Sequence, residues 1–160
     1  APGTFGPDRI ALCAHSRRRF PGEAVIALDL GTAITFDVLG SDGDYLGGLI
    51  VPGLDLMARA LHEHTARLPL VRISVPAAIT GFSTEECIRN GIVWNCVAGI
   101  EGLVEKIGRR LRDEQGEESV RVIATGGNAP LLSGMTGFSA ELDELAVLRG
   151  TRYLFELNCP

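Results

Sequence analysis

Two short stretches carry residue types suited to handling a phosphate. The first is Asp29-Leu30-Gly31-Thr32-Ala33-Ile34-Thr35. It puts an acid at the end of an apolar run, then a glycine turn whose amides meet no Cβ, with hydroxyls at Thr32 and Thr35. Asp29 would hold a cation there, while Thr32 and the amides around Gly31 face phosphate oxygens. An ordinary Asx-turn explains the same residues. The second stretch is Thr125-Gly126-Gly127-Asn128-Ala129, where a buried strand passes through a diglycine into a helix start. A nucleotide would sit over that turn, drawn by N-terminal amides and the helix dipole; a plain strand-to-helix connection also needs glycine on steric grounds. Two other groupings carry less. His62-Glu63-His64 has the composition of a metal cluster, but neighbours one and two apart on a helix point in different directions, so these are surface polar residues. Arg17-Arg18-Arg19 fits a solvated helix end favoured by the dipole better than a nucleic-acid patch.

The elements that position these residues follow from periodicity and punctuation. Residues 1–7, with Pro2, Gly3, Gly6 and Pro7, read as a loop. From Asp8 to about Arg19 the spacing predicts a short helix with Asp8 as N-cap, ended by Pro21-Gly22. Apolar runs over 24–29, 33–39 and 45–51, the last two separated by the turn Ser41-Asp42-Gly43-Asp44, predict an antiparallel three-stranded meander. Leu54, Met57, Ala58 and Leu61 predict a helix over 54–66 with one face on the sheet. An extended piece over 71–75 leads to a long helix from Glu85 to about Arg112, capped by Thr84. Gly91, Gly99, Gly102 and Gly108 inside it predict either a closely packed second helix or a kink. A charged loop over 112–118 precedes a buried strand at 120–124, a helix start at 129–132, a strand or turn over 139–148 and a last helix over 151–157. Trp94 reads as a core or interface residue.

Composition narrows the classes. With 160 residues, 46% of them hydrophobic, the chain can enclose one sizeable core but hardly two. Fifteen Lys and Arg against 20 Asp and Glu give a net charge of -5, which argues against nucleic acid as a partner. Apolar runs fall short of a membrane span, and the start of the sequence does not resemble a secretion signal, so the reading is an intracellular, cytoplasmic protein. Cys13, Cys87, Cys96 and Cys159 form no C-x-x-C pair and read as reduced thiols.

Taken in order, six motifs resemble one family. They are Gly6-Pro7-Asp8-Arg9; Asp29-x-Gly31-Thr32-Ala33-x-Thr35-x-Asp37; Tyr45-Leu46-Gly47-Gly48-x-Ile50-x-Pro52-Gly53; Leu68-Pro69; Gly81-x-Ser83-Thr84; and Thr125-Gly126-Gly127-x-Ala129. Together they resemble the type III pantothenate kinases over essentially the whole chain. The resemblance implies an α/β fold, the ribonuclease-H-like lobe of the acetate and sugar kinase, heat-shock and actin superfamily. That lobe has a three-stranded antiparallel meander plus further strands with packed helices. It divides the chain into an interlobe connection and short helix over 1–22 and a C-terminal lobe over 23–160. It implies transfer of the ATP γ-phosphoryl group to pantothenate, forming 4'-phosphopantothenate in the first step of coenzyme A biosynthesis.

By position, the resemblance makes Asp8 the general base, a role compatible with an N-cap if the carboxylate also points into a cleft. Gly6, Pro7 and Arg9 become part of the pantothenate pocket, with a guanidinium suited to the substrate carboxylate. Asp29 becomes the ligand of a monovalent cation, potassium or ammonium. Gly31, Thr32, Gly126 and Gly127 become ATP contacts, with a magnesium ion on the phosphates. Thr84 becomes a pantothenate contact offered across a homodimer interface along the long helix. The family's opening Asp-x-Gly-Asn-Thr turn has no counterpart ahead of Ala1, so the expectation is a chain that does not turn over without a front lobe. That lobe belongs either to the same longer chain or to a separate subunit. The alternative is an inactive kinase-like binding or regulatory subunit. Three positions depart from the family pattern: Leu12 stands where Asn is common, Ser83 where Asn is common and Asn95 where Gly is common. Leu12 is expected to remove a polar group from the substrate side, while Ser83 keeps hydrogen-bonding capacity.

Overall fold

Residues 5–159 are described by a computed structural model; the reading of residues 1–4 as loop lies outside them. The first helix, α1, runs Pro7–Arg19 with Gly6 as its N-cap. Asp8 is therefore not the cap, and no side chain caps this end. The reason is Pro7: its fixed φ and missing N–H suit the first helical position, so the helix starts one residue earlier. Three arginines in the last turn complement the dipole.

The predicted meander is present as β1 (Ala24–Leu30), β2 (Ala33–Leu39) and β3 (Tyr45–Pro52), both pairs antiparallel. After the long, mainly helical connection over 53–119, β4 (Val120–Thr125) lies parallel to β1, and the two-residue β5 (Glu141–Leu142) lies parallel to β4. The sheet order is β3-β2-β1-β4-β5. Helix α2 (Leu54–Glu63) follows β3, and the 71–75 stretch pairs with no strand.

Helix α3 (Thr84–Gln115) is continuous for 32 residues. Its cap is Ser83, not Thr84: Ser83 Oγ accepts from Glu86 N at 3.2 Å, and Glu86 Oε2 accepts from Ser83 N at 3.3 Å, a reciprocal capping box. At the other end, Arg109–Glu105 and Arg110–Glu114 pairs one turn apart carry the helix into the stretch read as loop, until Gly116 closes it at φ 70°. The interior glycines neither kink it nor receive another helix, since a Cβ at Gly91, Gly99 or Gly102 would meet nothing within 4 Å.

Helix α4 (Ala129–Ser133) is a single turn, and α5 (Ala146–Asn158) begins five residues before the predicted last helix. Gly150 inside α5 looks like a break in sequence but is a contact. Helix α1 crosses there so closely that a Cβ on Gly150 would overlap the Ala11 carbonyl.

Two cores result, one on each side of the sheet. Ile26, Leu28, Leu30, Ile34, Phe36 and Val38 face α3, meeting Ile92, Val93, Cys96, Val97 and Ile100. Val25, Ala27, Leu39 and Ile123 face α1 and α5 through Leu12, Phe20 and Ala146. Leu12 is fully buried in this second core, so the residue expected to alter the substrate side instead fills the seat of α1.

Candidate functional site

The face toward α1 changes character along its length. Strand register puts Asp29 opposite Thr35 on β2 and Thr125 on β4, and Ala27 opposite Asp37. Side chains alternate across a sheet, so Asp29, Thr35, Asp37 and Thr125 share the α1 face with Val25, Ala27 and Ile123. One half of that face is thus apolar and covered, and the other half is polar. The polar half lies toward the first turn of α1, which presents Asp8 and Arg9.

Asp29 is half-buried, and its carboxyl is pushed above the usual carboxylate range by burial first, then by the negative charges of Asp8 and Asp37. Three carboxylates that the sequence spreads over 30 positions therefore lie within electrostatic reach of one another. Both glycine turns close on Asp29. Gly126 has φ 95°, and a Cβ there would collide with Asp29 Oδ1 and the Leu30 backbone; a Cβ on Gly31 would lie 3.4 Å from the same Asp29 oxygen. Asn128 N donates to Leu30 O at 2.9 Å and Asn128 Nδ2 to Gly31 O at 3.4 Å, tying one turn to the other. Thr32 and Gly127 are exposed at the rims. Because α4 is only one turn long, dipole attraction is small, and the anion-binding capacity of this corner rests on the amides of the turns.

Arg9 is held from three sides. Its Nε lies 3.1 and 3.2 Å from the two Asp37 oxygens, its Nη2 lies 2.5 Å from Asp37 Oδ1, and Nη2 also donates to the Tyr45 hydroxyl at 2.8 Å. Tyr45 donates in turn to Asp37 Oδ1 at 3.0 Å. The Phe5 ring lies 4.6 Å from the guanidinium carbon and 4.8 Å from the Tyr45 ring. Asp37 is fully buried, so this pair is what permits a charge inside the sheet. The role of Asp37 and Tyr45 was missed from sequence. The available signal was an acid in the middle of the apolar strand Ala33–Leu39, which requires a buried cation nearby.

Thr84 is not brought to this site. It is exposed at the start of α3, on the opposite layer of the sheet, beside a mainly apolar groove of about 950 Å³ shared with Leu61, Phe82, Ser83, Cys87 and Gly91. Asn95 also lines that groove. His62 and His64 are exposed, with His62 Nδ1 2.8 Å from Leu68 O, and among the described residues no group of three or more His, Cys, Asp or Glu is arranged for a metal ion. Trp94 is half-buried against the α3 core, its Nε1 3.4 Å from Ala78 O. The four cysteines are free thiols. Among the described residues no helix is long and apolar enough to cross a membrane.

Comparison with known proteins decides the family. A model of the type III pantothenate kinases matches residues 1–106. The chain belongs to the type III pantothenate kinase family. A relative of that description from Chlorobium luteolum is 58% identical over 157 residues, covering 98% of this chain and 58% of the relative. Another, from Chlorobaculum tepidum, is 53% identical over 159 residues, covering 99% and 59%. The chain thus spans under two thirds of the length of the curated kinases it matches. Among solved structures, one described as a Baf family transcriptional activator from Campylobacter jejuni superposes with TM-score 0.63 at 24% identity, over 97% of this chain and 65% of that one. An archaeal actin homologue superposes with TM-score 0.54 at 15% identity, over 92% and 54%. These likenesses show an actin-type α/β lobe, the fold class the type III pantothenate kinase motifs imply.

Proposed function

We propose that this chain is the rear lobe of an enzyme that transfers the γ-phosphoryl group of ATP to pantothenate in coenzyme A biosynthesis, a reaction of the cytoplasm. The observation that carries the reading is the meeting of Asp8, Asp29 and both glycine turns at the polar end of one sheet face. Residues 1–22 form the connection and helix that deliver Gly6-Pro7-Asp8-Arg9, and 23–160 the lobe itself. Asp8, exposed and without a capping duty, accepts the proton of the pantothenate hydroxyl. The hydroxyl oxygen bonds to the γ-phosphorus as the bond to the bridging oxygen of ADP breaks. Gly31, Thr32, Gly126 and Gly127 line the phosphate side. Gly6, Pro7 and Arg9 line the pantothenate side, where a guanidinium suits the substrate carboxylate.

The donor set at Asp29 is one half-buried carboxylate beside the buried Thr35 Oγ1, which has no hydrogen-bond partner among the described residues. A single carboxylate with neutral oxygens fits potassium or ammonium better than a divalent ion. Such a cation would favour the charged form of Asp29 and offset local negative charge. Magnesium would be held mainly by the ATP phosphates, whose charge it would neutralise. A front lobe completes the phosphate cradle. Exposed Ile50, which pairs with Thr35 on the polar half of the sheet, and exposed Ile10 offer apolar surface for it. Thr84 reaches pantothenate in a second copy of the chain, packed along α3 where Gly91, Gly99 and Gly102 leave room.

The test joins this chain to the front segment of the Chlorobium luteolum relative and measures ADP release with pantothenate. Potassium-dependent turnover is expected from the joined protein and none from the 160 residues alone. Asp8→Asn is expected to lower kcat by about 10²- to 10⁴-fold while the fold survives. A joined protein that folds but never phosphorylates pantothenate overturns the reading; full turnover with Asp8→Asn overturns the base assignment.

A further inference from the structure

The buried carboxylate of Asp37 sits mid-strand in β2, where an apolar residue would be the ordinary choice, and its partners come from two other elements: Arg9 on α1 and Tyr45 on β3. The room for this arrangement is kept by Gly48, which pairs with Asp37 across the ladder. A Cβ on Gly48 would overlap the Phe36 carbonyl and would also lie 2.7 Å from the Tyr45 hydroxyl and 2.8 Å from Arg9 Nη2. Asp37 takes Arg9 through Nε and Nη2, a grip that fixes the plane of the guanidinium as well as its position. Tyr45 closes the triangle by accepting from Nη2 and donating to Asp37, and Phe5 packs beside the guanidinium.

We infer that Asp37 and Tyr45 are positioning residues that hold Arg9 by one edge, setting the guanidinium for the substrate carboxylate and the first turn of α1 for Asp8. The inference rests on the pantothenate kinase reading. It goes beyond that reading by placing substrate selection partly in two residues that do not touch substrate. Tyr45→Phe removes two hydrogen bonds and no volume of consequence. Asp37→Asn keeps the shape and removes the charge that grips Arg9. Both act on the orientation of Arg9 and spare the glycine turns.

The experiment uses the joined protein described above. The pantothenate KM is expected to rise about threefold to tenfold in Tyr45→Phe and further in Asp37→Asn, while the ATP KM stays within about twofold. A purely architectural role would lower the melting temperature and the active fraction without this selective change in KM. A second measurement is independent of turnover and uses the chain itself. Burial and Asp37 push the Tyr45 phenol up to about 12, so Asp37→Asn should bring its alkaline absorbance titration to lower pH, with Tyr45→Phe identifying the signal against Tyr153. Wild-type turnover with an unchanged pantothenate KM in both variants overturns the positioning role alone, as does an Asp37→Asn protein too unstable to assay beside a Tyr45→Phe protein with wild-type KM. Absence of wild-type turnover overturns the kinase reading and this role with it, while the phenol titration still reads the triad.

Discussion

On the face toward α3, β1 and β2 are apolar from end to end: Ala24, Ile26, Leu28 and Leu30 beside Ile34, Phe36 and Val38. On the face toward α1, Val25 and Ala27 give way to Asp29, and Leu39 to Asp37 and Thr35. The same two strands supply both patterns, since alternate residues point to opposite sides. Fully burying each large apolar side chain on the first face contributes about 1.5 to 3 kcal/mol. The polar half of the second face does the reverse, half-burying Asp29 within electrostatic reach of Asp8 and Asp37 and leaving the Thr35 hydroxyl without a partner among the described residues. A packed apolar layer behind the strands keeps the unfavourable polar groups in place, a division of labour in which the stable face supports the polar one.

Substitutions on each face should behave oppositely. The largest effect is expected from Phe36→Ala, fully buried against α3, with a loss of about 3 to 4 kcal/mol in urea unfolding. A loss below about 1 kcal/mol would mean that the α3 face is not the stabilising one. Gly126→Ala comes next. The positive φ and the overlap with Asp29 should cost about 2 kcal/mol and abolish ATP binding, read by calorimetry on the joined protein. Intact ATP affinity would separate this turn from the phosphate side.

The smallest effect carries the opposite sign. Asp29 has a raised folded pKa, so the folded chain binds its proton more tightly than the unfolded chain. Without added cation, stability should therefore rise as pH falls through the folded pKa toward the ordinary carboxyl range, and be lower above it. Asp29→Asn should remove that slope, raise stability at pH 7 by about 0.5 to 1 kcal/mol and eliminate the potassium response of the joined protein. A destabilised Asp29→Asn would mean the carboxylate is a structural partner, not a strained ligand.

The meander was legible because each strand announces itself by an apolar run and the Ser41–Asp44 turn fixes one hairpin. The two glycine turns were legible as turns because their residue types are local. What escaped depends on distant partners. Asp37 gains its meaning from Arg9, 28 residues away, and the need for Gly48 appears only once the Phe36 carbonyl across the ladder, with Arg9 and Tyr45, fills the space beside it. The strand or turn expected over 139–148 gives way to α5 from Ala146, and Gly150 inside that helix is demanded by the crossing with α1, a partner far away in the sequence. The cap on α3 was misplaced by one residue although Ser83 and Glu86 stand at capping-box spacing, a signal that outranks Thr84.

The approach of Gly150 to Ala11 also sets an order of events during synthesis. Helix α1 is made before α5, yet much of its packing comes from α5, more than 120 residues later. A ribosome must release nearly the whole lobe before the segment bearing Asp8 and Arg9 has its neighbour, a long-range closure that slows folding. The turn bearing Asp8 and Arg9 is thus translated before the helix that secures it, and it gains its fixed position only once α5 has been made.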